Sequence, residues 1–201
     1  MKLTSSKKIF LLLLLAFPFA GLNAQIQFGL KAGFNIANVT GGGLPDAKTL
    51  LGFQGGGLVK IPLTDMLSLQ PEAVYSIQGF KYPDSTSGIS VNFKNSYINI
   101  PVLLTYTLPA GLFFQAGPQV GFLVSASAGA GGVSISTKSI FKSTDFSLAF
   151  GAGYNMTDNF GINARYHLGL TNIAVNPGEG ESVKNSVIQV GFFYLFGEHE
   201  K

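Results

Sequence analysis

Six ionisable residues, Lys31, Lys60, Glu72, Asp145, Arg165 and His167, lie where apolar and polar residues alternate, and all six fall on the polar side. Fixed cations, carboxylates and an imidazole on one face admit several chemistries. His167 neighbours Arg165 on that face and could work with Asp145 or Glu72 as an acid–base pair. The same charges could form a gate or selectivity filter. They could equally neutralise one another in ion pairs such as Glu72 with Arg165 or Lys60, and Asp145 with Lys31, because an isolated charge away from water is costly. Residue types argue against catalysis: the only other histidine is His199, close to the end of the chain, and a base must reach an open site before any catalytic role follows. No paired His or carboxylate spacing suggests a metal. The absence of cysteine excludes disulfides, thiol chemistry and Cys-based metal sites. The glycine clusters TGGG and SAGAGG lack the Lys-Ser/Thr of a phosphate loop and read as flexible connections. The expectation is no catalytic residue, no metal and no cofactor.

The elements that position these charges follow from the rest of the chain. Residues 1–24 have a basic start, MKLTSSKK, an apolar run, IFLLLLLAFPFA, and a small residue before Gln25. That is the layout of a cleavable signal peptide, and the run is too short for the roughly 20 residues of a spanning helix. The excess positive charge comes from Lys2, Lys7 and Lys8; residues 25–201 carry ten basic and ten acidic residues. No basic run with interleaved aromatics points to nucleic acid. Residues 25–201 suit one domain, poor in charge and rich in Gly, Phe and Tyr, with no apolar stretch long enough for a helical span.

Turn formers cluster at IPLTDM (61–66), TLPAGL (107–112) and YNMTDNF (154–160), each short enough to close a hairpin. Between them lie longer polar stretches at 40–49, 81–92, 125–139 and 171–185. Three short turns alternating with four long loops predict eight strands, with both ends on the short-turn side. Period 2 then sorts the faces. Leu51, Phe53, Val59 and Ile61 oppose Gln54 and Lys60; Leu112, Phe114, Ala116, Val120 and Phe122 oppose Gln115, Gln119 and Ser125. The polar face is mostly Gly, Gln, Asn and Ser, with apolar members such as Val74, Leu103, Phe113, Leu123, Val187, Phe193 and Leu195. A soluble ligand-binding barrel would expose a face dense in Lys and Glu. Small uncharged residues suit a crowded interior, so the apolar face is expected to meet lipid and the six charges to face a side-chain-filled lumen. Phe28, Phe53, Tyr106, Phe114, Tyr154, Phe160, Tyr166, Tyr194 and Phe196 sit outward towards strand ends and are candidates for interfacial girdles.

The segments FGLKAGFNIAN (28–38), YINIPVLLTY (97–106), AGPQVGFLV (116–124), FGAGYNM (150–156) and VGFFYLFG (190–197) together resemble the small outer-membrane β-barrel, or porin family, proteins of Gram-negative bacteria. The resemblance spans residues 25–201. It implies an all-β, eight-stranded, antiparallel up-and-down transmembrane barrel of the OmpA/OmpX kind, placed in the outer membrane by the barrel-assembly machinery. That machinery reads a terminal aromatic; Phe196 matches, displaced by the following GEHEK. The function expected is a structural or surface-interaction role through four extracellular loops, its extracellular partner unidentified. The alternatives are a narrow channel for ions or small solutes and a soluble periplasmic carrier.

Overall fold

A computed structural model describes residues 26–42, 44, 46–83, 90–178 and 180–197. The expected signal peptide, the centre of the second loop and His199 lie outside the described residues. The strands are β1 (Gln27–Thr40), β2 (Lys48–Pro62), β3 (Leu67–Pro83), β4 (Ser90–Thr107), β5 (Leu112–Ala130), β6 (Val133–Ser136), β7 (Thr144–Asn155), β8 (Phe160–Gly169) and β9 (Lys184–Phe196). All pairings are antiparallel, in the order β4-β3-β2-β1-β9-β8-β7-β5, and a β4–β5 pairing closes the ring. Eight strands therefore form the barrel. The ninth, β6, is a four-residue return on the upper part of β5, followed by a single 3-10 turn at Lys138–Ile140.

The alternation of the sequence becomes inside and outside. Phe34 and Leu51 are each 72% exposed on the outer wall, whereas Lys31, Glu72 and Arg165 are buried inside. This orientation rules out the soluble carrier, whose apolar face would line the interior. From Leu67 to Ile77 the outward residues of β3 are apolar, a height of about 25 Å at ~3.3 Å per residue and a tilt of ~40°, which matches the band of a membrane barrel.

The short turns share a device. Thr64 Oγ1 accepts hydrogen bonds from the amides of Met66 and Leu67, and Thr157 Oγ1 from those of Asn159 and Phe160. The third turn closes on Gly111, whose φ of +88° favours glycine.

Two features depart from expectation. The strands β3, β4 and β5 have 17, 18 and 19 residues, longer than a membrane crossing needs, and with β6 they run into the stretches 81–92 and 125–139 expected as loops, so a sheet extends past the apolar band at the loop end. In addition, Ser125 is exposed rather than inward. Tyr97 pairs with Leu123 but Ser96 with Ser125, leaving Val124 as an extra residue, and such a bulge reverses the parity beyond it.

Inward glycines leave space for bulky neighbours. A Cβ on Gly161 would lie 2.5 Å from Cζ of Phe193, and Phe193 is directly across the strand pair. Gly161→Val therefore should destabilise the folded barrel by ~1–3 kcal/mol, measured as a lower urea midpoint for loss of the heat-modifiable folded band. An unchanged midpoint would show that the Phe193 ring has room to move.

Candidate functional site in the barrel interior

The inward side chains are arranged in layers. In the middle, Glu72 of β3 is the anionic centre. Arg165 of β8 donates to it twice, Nη1 to Oε2 at 2.8 Å and Nη2 to Oε1 at 2.7 Å. Lys31 of β1 donates from Nζ to Oε2 at 2.9 Å, and Gln70 from Nε2 to Oε1 at 2.7 Å. Each carboxylate oxygen thus accepts two bonds, using the acceptor capacity of the group. The parallel Arg–carboxylate fork is the strongest kind of charged hydrogen bond available to side chains. Arg165 Nε also donates to Gln115 Oε1 at 2.9 Å, and Gln115 Nε2 donates to Thr105 Oγ1 at 3.0 Å.

Topology gives this cluster its meaning. In the ring β3 and β8 are four strands apart in either direction, so the Arg165 and Glu72 side chains together bridge the lumen. Gly151 makes room for it: a Cβ there would lie 2.8 Å from Cγ of Arg165.

Asp145, His167 and Lys60 do not join this cluster. The expected Asp145–Lys31 pair is not formed. Asp145 accepts from Thr171 Oγ1 at 2.6 Å and from Asn185 Nδ2 at 2.8 Å, because β7 carries it near the loop end, well above Lys31. His167 Nε2 pairs with Gln189 Oε1 at 2.9 Å rather than with a carboxylate. Lys60 is half-buried at the turn end and makes no ion pair among the described residues. No group of three His, Cys, Asp or Glu able to hold a metal is assembled among the described residues.

Apolar layers lie on both sides of the ion cluster. Towards the short turns, Leu58, Phe113, Phe193 and Leu195 form one buried group, with the two rings edge-to-face at 5.8 Å. Towards the loops, inward Val39, Phe80, Tyr97 and Leu123 form a second with Phe141, Ile173 and Val183. Phe141 and Ile173 come from connections that carried no period-2 signal. They are drawn in by a bridge between Phe141 and Ala174 and by the amide of Lys142 donating to the Ile173 carbonyl at 2.7 Å.

Of the outward aromatics, Phe28, Tyr106, Phe114, Tyr154, Phe160, Tyr194 and Phe196 lie at the turn end, where Phe28 is paired with Phe196, Tyr106 with Phe114 and Phe160 with Tyr194. Phe53 and Tyr166 sit higher on the wall, near Tyr75 and Phe150 respectively. Tyr166 also shares a hydrogen bond with Ser186 Oγ at 2.9 Å.

The two cations depend unequally on Glu72. Glu72→Ala leaves Lys31 and Arg165 unpaired in the interior and should cost ~3–5 kcal/mol. Lys31→Met leaves the Arg165 fork intact and should cost less. Urea unfolding of the refolded protein, followed by far-ultraviolet circular dichroism, ranks the two; equal losses would place Lys31 on a par with the fork.

Residues 19–175 match the family described as outer membrane protein β-barrel domain. No curated protein matches the sequence. Among solved structures, the neisserial surface protein A, NspA, is 17% identical with a TM-score of 0.57, over 84% of this chain and 97% of that one. Ail, the attachment invasion locus protein of Yersinia pestis, is 20% identical with a TM-score of 0.48, over 85% of this chain and 99% of its own. OprG of Pseudomonas aeruginosa is 13% identical with a TM-score of 0.45, over 86% and 96%. The likeness to NspA is one of fold. With more than half its length matched, the chain belongs to the outer membrane protein β-barrel domain family and is a protein of the bacterial outer membrane.

Proposed function

We propose that this barrel does not conduct, and that it acts in the outer membrane as a rigid support for a loop-end surface that meets an extracellular partner. The observation that carries the reading is the Arg165–Glu72 fork, which joins walls four strands apart. An eight-stranded ring has an interior that side chains can fill, and here ions, amides and aromatic rings occupy successive levels. A channel for ions or small solutes would need a continuous wet path. The apolar layers around Phe113 and Phe193, and around Phe141 and Ile173, interrupt such a path at both ends.

The same reading gives the six interior ionisable residues a structural role. It assigns no catalysis and no cofactor, since His167 faces an amide and no open acid–base pair is formed among the described residues. Export by the 1–24 segment, cleavage before Gln25 and insertion by the barrel-assembly machinery through Tyr194 and Phe196 belong to the same proposal. The turns then lie on the periplasmic side and the loops outside, as in barrels of this kind.

Planar-bilayer recording on refolded, heat-modifiable protein tests the role. A folded barrel that gives no steady conductance is the expected result. Reproducible unitary openings that Arg165→Ala alters would overturn the plug and make the protein a narrow channel.

A further inference from the structure

The sheet that rises past the apolar band carries an unusual outward face. On β2 and β3, Lys48 and Lys81 are direct cross-strand partners. Like charges placed opposite each other destabilise a strand pair, and no acidic side chain pairs with either among the described residues. On β4, Lys94 is exposed and faces Ser127 of β5. The outward positions continue through Asn92, Ser127 and Ser134, and a cavity of about 290 Å³ opens between them and the Gly131–Gly132 turn.

The height of this patch identifies its surroundings. Leu51, Ile77, Ile98 and Val124 stand three or four residues below Lys48, Lys81, Lys94 and Ser127 on the same strands. That separation is about 10 Å along the axis. The hydrocarbon-facing band thus runs directly into a zone of lysines, hydroxyls and amides at headgroup depth.

We propose that the outward face of β2–β5 above the apolar band binds the phosphate group of an outer-leaflet lipid headgroup, with Lys48, Lys81 and Lys94 supplying the charge and Asn92, Ser127 and Ser134 the hydrogen bonds. A phosphate between Lys48 and Lys81 removes their mutual repulsion. Continuity with the lipid-facing wall selects a membrane lipid over a free anion, because the acyl chains of such a lipid would lie against Leu51, Ile77 and Val124. The proposal rests on the membrane orientation and is independent of whether the lumen conducts.

The test uses the full refolded chain in detergent micelles containing phosphatidylcholine and phosphatidic acid, with the co-purifying lipid quantified by mass spectrometry. Wild type should retain phosphatidic acid preferentially. Lys81→Gln with Lys94→Gln should lower that preference about twenty-five-fold, from about fivefold per lysine near a headgroup. A charge-matched variant, Lys142→Gln with Lys184→Gln, should keep it, and the heat-modifiable band of each variant reports folding. Equal losses in the two variants would reduce the effect to net charge and overturn the proposal. So would full displacement of the lipid by millimolar inorganic phosphate, which would make the site one for a free anion. An unchanged preference in the Lys81/Lys94 variant would also overturn it.

Discussion

A carboxylate buried in the middle of a narrow barrel is the constraint on which the interior depends. Desolvation of Glu72 is tolerable only if its oxygens are saturated, and saturation requires donors from several walls at one level. Arg165 reaches from the opposite strand, Lys31 from β1, and Gln70 from two residues away on the same strand. Two cations share one anion, so the cluster tolerates the loss of Lys31 better than the loss of Glu72. Meeting this demand pins β1, β3, β5 and β8 in register around a common centre, since Gln115 of β5 joins through Arg165.

Around that centre the interior is built from unequal partners. Phe113 and Phe193 meet inside the ring because Gly153 and Gly161 stand beside them without side chains, and Gly151 does the same for Arg165. The abundance of glycine in the chain is in this respect the complement of its aromatic content. The loop-end layer uses another means: Phe141 and Ile173 fold inward from connections, while Asp145 ties Thr171 and Asn185 together beneath them. A polar anchor and an apolar cap thus hold the same loops.

The outer wall has its own division. Apolar residues cover a membrane-sized height, and where β3, β4 and β5 continue beyond it the outward residues change to lysine, serine and asparagine. The change occurs without a break in the strands, so the same backbone that seals the barrel also presents a polar sheet above the lipid.

The faces, the eight-strand ring and the family were legible in the chain because period-2 alternation and turn chemistry are local. Each inward or outward assignment needs only the neighbours of a residue. Ser125 escaped because a bulge at Val124 shifts parity by one residue, and nothing in SASAGAGG marks the position of the shift. The grouping of Lys31, Glu72 and Arg165, and the separation of Asp145 from Lys31, could not be read in this way. Both depend on height, which strand register and tilt decide across residues more than ninety positions apart. Phe141 and Ile173 carried no periodic signal, and only the closed ring offered them an apolar mouth to fill. The sequence by itself determined which side chains face lipid and which face inward, since alternation is a property of one strand. The tertiary structure alone decided which inward side chains meet, because that is a property of all eight strands at once.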